Sequence, residues 1–118
     1  MNKQLELVRE FHAKFKQPIL EQASLIPADR SALRYKLMHE EVEEYKAGTE
    51  AGDLANIAKE LCDILYAAYG TILEHGLQDK FEEIFAEVHA SNMSKDYHEY
   101  KMIKGANYFK ADVKKFLD

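Results

Sequence analysis

Tryptophan is absent, cysteine occurs once, proline twice and glycine five times in these 118 residues. The lone thiol, Cys62, excludes an internal disulfide and any zinc site needing two or more cysteines of one chain. Proline is confined to Pro18 and Pro27, and no stretch is of low complexity. No run approaches the ~20 apolar residues of a membrane helix. Met1 to Phe15 mixes charged with apolar residues and lacks the apolar core of a signal peptide. The expected location is therefore the cytoplasm, with no membrane partner. Basic residues are outnumbered 16 to 21, for a net charge of -5, which argues against a general binder of nucleic-acid polymers. An anionic small substrate stays compatible with that charge, because a bound divalent cation reverses the local sign.

What is present is an ordinary globular composition, 47% hydrophobic and 31% charged, long enough for one domain spanning residues 1–118. Leu5, Val8, Phe11, His12 and Phe15 recur at helical spacing and predict a first helix over Asn2 to Lys16, ended by Pro18. Ala23 to Pro27 is expected to be a connection. A second helix is expected from Ser31 to Lys46, with Asp29 or Ser31 as its cap and Gly48 as its stop. A third opens at the N-cap Asp53 and runs to His75, before Gly76. A fourth covers Gln78 to Ser91, with Phe81, Ile84, Phe85 and Val88 as its apolar stripe. Beyond Asn92 lies a polar, tyrosine-rich tail, Lys95 to Phe109, and then a short closing helix over Ala111 to Leu117. No segment alternates with period two, so the expected fold is all-α: a four-helix-bundle-like arrangement with a short C-terminal helix.

Two helices carry acids where apolar residues belong. Leu33 and Leu37 define a stripe on the second helix that should face the core, yet its continuation is Glu40 and Glu44, with Glu41 beside them. On the third helix, Leu61, Ile64, Leu65, Ala68, Ile72 and Leu73 cover most of the circumference and imply burial on several sides. Asp63 sits inside that run, and Glu60 lies three residues earlier on the same side. A buried carboxylate without a partner is costly. Lys59 is adjacent to Glu60 in sequence and so is expected to point about 100° away. Antiparallel packing would bring Glu41, Glu44, Glu60 and Asp63 together, with Glu40 at the edge. Such an oxygen-only set suits a hard cation such as Mg²⁺. A di-iron bundle would instead need Glu-x-x-His, and none of the five histidines has a glutamate three residues before it.

The segments HEEVEEYKAG and DLANIAKELCDILYAAYG, with E-E-x-x-E on one helix and E-x-x-D on the next, resemble the paired motifs of the all-α nucleoside triphosphate pyrophosphohydrolases, the MazG-like superfamily. IFAEVHASNMSK is similar to the superfamily's next motif, and KGANYFKAD resembles the closing segment of a branch that includes dUTP-hydrolysing members. The resemblance runs from Leu33 to Asp112. It implies Mg²⁺-dependent hydrolysis of a nucleoside triphosphate to monophosphate and pyrophosphate, with Mn²⁺ as a possible substitute. It implies that Glu41, Glu44, Glu60 and Asp63 hold the metal, that Glu40 orients or deprotonates the attacking water, and that Asn92 and Lys95 approach phosphate or sugar. It also implies a homodimer or homotetramer. Tyr66, one turn beyond Asp63, is placed either against a substrate base or in the core. A rival from another class is a non-catalytic helical module whose acidic strip docks a partner or binds nucleotide or metal without turnover. That strip would lie opposite the apolar stripe, whereas here the acids interrupt it.

Overall fold

The computed structural model describes residues 2–117. Within these, four helices form, α1 (Lys3–Lys14), α2 (Ala28–Ala51), α3 (Leu54–Glu74) and α4 (Phe81–Met93), followed by strands β1 (Asp96–His98) and β2 (Lys101–Ile103) and one 3₁₀ turn, Lys114–Phe116. The class is all-α, as the periodicity predicts. No described helix is long and apolar enough to cross a membrane.

Local chemistry explains most boundaries. Asn2 caps α1 by accepting from the Leu5 amide at 2.7 Å, and Asp53 caps α3 by accepting from the Asn56 amide at 3.1 Å. The second helix corrects the sequence expectation at both ends. It opens at Ala28 behind Pro27, which has no side-chain cap, so neither Asp29 nor Ser31 fills that place. It runs through Gly48 to Ala51. The left-handed residue that terminates it is Gly52, at φ 67°. Gly48 is instead a point of close approach, where an added Cβ would lie 3.3 Å from Asn56 Nδ2.

The chain divides into two compact units, Asn2–Gln78 and Asp79 onward. In the first, both α1 and α2 pack on α3. Gly48 meets Asn56, the Glu41/Glu44 carboxylates meet those of Glu60 and Asp63, and Arg34 meets Thr71. Partners that descend along α2 as they ascend along α3 define an antiparallel hairpin. The core is small: Leu5, Val8 and Leu73 are buried, with Ile19, Tyr69 and Ile72 against them. Contrary to expectation, Leu33 does not face it, and Leu61 and Leu65 are 48% and 52% exposed. The core sits toward the C-terminal half of α3. Leu65 borders α1 at Leu7 and Val8 across a small open cavity and is not packed into that core.

In the second unit the tail is not strandless. Asp96–His98 and Lys101–Ile103 pair antiparallel, Tyr97 opposite Met102, across a turn in which Glu99 and Tyr100 both take positive φ. The expected closing helix shrinks to the single turn Lys114–Phe116. Ser91, buried at the end of α4, donates its hydroxyl to the Phe109 carbonyl at 2.8 Å and so anchors the tail.

Candidate active site

The α2–α3 register puts one oxygen from each of Glu41, Glu44, Glu60 and Asp63 within 4.8 Å of all the others. A three-residue spacing puts each pair on one helix face, and antiparallel packing turns the two faces toward each other. Like charges this close resist ionisation together. Burial, then the charges of Glu44, Asp63 and Glu60, push the Glu41 carboxyl up to about 7. Glu44 is also held above its ordinary value, chiefly by its hydrogen bond to Glu60 and by that residue's charge. Glu60 is 4% exposed. Its Oε2, like Oε2 of Glu41, is buried without a hydrogen-bond partner. Orphaned, inward carboxylate oxygens around a common point are a donor set that a divalent ion fits.

Only one cation reaches the cluster among the described residues. Lys59 Nζ lies 2.7 Å from Asp63 Oδ2 and 3.6 Å from Glu60 Oε1. The sequence expectation that Lys59 points away is thus corrected: its long stem reaches forward one turn to Asp63. Asp63 in turn raises the affinity of the ammonium for its proton. Glu40 is outside the cluster, half exposed and 3.9 Å from Lys36. Asn92 lies exposed in the last turn of α4, and Lys95 is half-buried just past it, its amide donating to the Asn92 carbonyl.

Alongside the carboxylates runs an open cleft of about 500 Å³, bordered by Glu41 and Asp63 and continuing past Tyr66 to Phe11, Phe15 and Arg34. Tyr66 therefore lies beside the site, its ring edge-on to Phe11 at 5.3 Å.

Sequence reasoning missed the Arg34–Glu74 system beneath this cleft. Glu74, 1% exposed, accepts two hydrogen bonds from Arg30 at 2.9 Å and pairs with Arg34 at 3.1 Å. Arg34 also donates to Thr71 Oγ1 and to the Ala67 carbonyl. The available signal was the stripe itself: Arg34, Leu37 and Glu41 share one face of α2, and Glu74 ends the uncharged run Ile64–Leu73 that closes α3.

Residues 8–92 match the family model of phosphoribosyl-ATP pyrophosphohydrolase. The fold and site thus belong to an all-α class of divalent-metal-dependent pyrophosphohydrolases, the MazG-like superfamily that the paired acidic motifs imply. Within that class, the chain is a member of the phosphoribosyl-ATP pyrophosphohydrolase family. No curated protein matches it in sequence.

Proposed function

We propose that this protein hydrolyses nucleoside triphosphates to the monophosphate and pyrophosphate, with Mg²⁺ or Mn²⁺ as cofactor, as a housekeeper of the cytoplasmic nucleotide pool. One observation carries the proposal: four carboxylates from two antiparallel helices converge within 4.8 Å, two of them with buried oxygens lacking any partner. Glu41, Glu44, Glu60 and Asp63 would hold the metal. A bound divalent ion would acidify a water and neutralise polyphosphate charge.

The remaining work falls to this chain's own side chains. Glu40, next to Glu41 in sequence and open to solvent, takes the proton of the attacking water as the anhydride between α- and β-phosphates opens. Asn92 and Lys95 bind sugar and phosphate, and Tyr66 borders the base. The substrate is a free nucleotide such as dUTP or a non-standard triphosphate. The chain acts as one all-α domain within a homodimer or homotetramer, whose interface covers Leu7, Leu61 and Leu65, all about half exposed.

The test is a panel of nucleoside triphosphates with Mg²⁺, read by pyrophosphate release, repeated with Glu44→Gln and Asp63→Asn. Release should depend on Mg²⁺ and fall at least a hundredfold in both variants, while circular dichroism stays helical. Undiminished turnover in both would refute the metal assignment.

A further inference from the structure

The cleft beside the carboxylates holds more chemistry than a phosphate needs. Its walls are Phe11, Phe15 and Tyr66, three rings that are each roughly half exposed and so present open faces. Its far end is polar and buried: Arg34 is 6% and His12 is 3% exposed. From Glu41 to Arg34 is seven residues of α2, about 10 Å along the helix. That span is comparable to the reach of a nucleoside from its 5′ oxygen to the edge of its base.

Both polar groups are locked in role. Arg34 is a donor only, and its bonds to Thr71, Ala67 and Glu74 fix its plane while occupying three of its five N–H groups. His12 Nδ1 lies 3.0 Å from the Pro18 carbonyl, which can only accept, so Nδ1 carries the proton. Burial holds the ring below its ordinary pKa, which leaves Nε2 of the neutral ring as an acceptor. Gly70 is the cradle for both: a Cβ there would strike the Arg34 guanidinium and sit 2.8 Å from His12 Nε2. A donor and an acceptor side by side complement the edge of a nucleobase, where a ring N–H adjoins a carbonyl.

We propose that this cleft is the nucleobase site, with Phe11 and Tyr66 contacting the ring and Arg34 and His12 reading its hydrogen-bonding edge. The assignment rests on the nucleotide reading of the carboxylate cluster and extends it to recognition. Arg30 and Glu74 are then positioning residues that hold Arg34.

Uncharged nucleosides test it without any phosphate contribution. In Mg²⁺ buffer, guanosine, 1-methylguanosine, uridine, 3-methyluridine and ribose are titrated and followed by ligand-observed NMR. Guanosine or uridine should bind, and ribose should not. Methylating the edge nitrogen should weaken binding about tenfold, the scale of a lost buried hydrogen bond. Phe11→Ala should weaken it by about the same factor through lost ring contact. Methylated and parent nucleosides binding equally, or Phe11→Ala without effect, would overturn the assignment. Base-dependent binding with no pyrophosphate release from any triphosphate supports the cleft and overturns the hydrolytic reading. Release that is indifferent to the base and to Phe11→Ala overturns the cleft.

Discussion

Lys59 Nζ lies 2.7 Å from Asp63 Oδ2, one helical turn away on α3. The ammonium occupies the charge-compensating role that a divalent ion would take over. Its side chain is two-thirds exposed, so it can swing into water at little cost. Lys59→Met should therefore tighten Mg²⁺ binding a few fold, because the ion no longer displaces a resident cation. Calorimetric titration of the variant against the parent checks this, and weaker binding would contradict it.

Without metal, the cluster should make stability depend on pH. Glu41 is pushed up to about 7 by burial and by Glu44, Asp63 and Glu60. An acid whose pKa is raised on folding favours the folded state while protonated. That contribution is complete below the ordinary value of 4.5 and is lost as pH rises through about 7. His12 works in the opposite sense: its lowered pKa gives stability present above 6.5 and lost at more acidic pH. Melting curves in EDTA for the parent and Glu41→Gln separate the two. The parent should lose stability relative to Glu41→Gln between pH 4.5 and 7, and Mg²⁺ should restore it at the alkaline end. Parallel curves would show that Glu41 is not strained.

Glu74 is the anchor of a buried ion pair, and removing its charge strands Arg34. Glu74→Gln should destabilise the fold by roughly 3–5 kcal/mol, the range for breaking one side of a buried pair. Urea unfolding measures the loss. A change under 1 kcal/mol would mean that Arg34 finds another partner.

Gly70 offers a test of sign. Replacing a mid-helix glycine by alanine ordinarily stabilises by about 0.5–1 kcal/mol. Here the added Cβ collides with the Arg34 guanidinium. Gly70→Ala should instead destabilise, by roughly 1–3 kcal/mol, and also weaken nucleoside binding. A more stable variant would show that Arg34 is free to move aside.

The chain's own order of residues determined what is local. Helical spacing alone puts Glu41 with Glu44 and Glu60 with Asp63 on common faces, Asp53 announces the start of α3, and period-3.6 apolar positions set the all-α class. These features depend on bonds and contacts within one turn, so they survive in a linear reading. Tertiary structure decided everything that needs two helices in register: the convergence of the four carboxylates, the position of Glu40 outside them, and the burial of Glu74 against Arg30 and Arg34. It also decided that Leu61 and Leu65 stay open while Leu73 is covered, because burial depends on which neighbouring side chains pack onto each position and not on hydrophobicity alone. The Asp96–Ile103 hairpin was equally invisible, since three-residue strands carry too little periodicity to read and their pairing is settled by the turn at Glu99 and Tyr100.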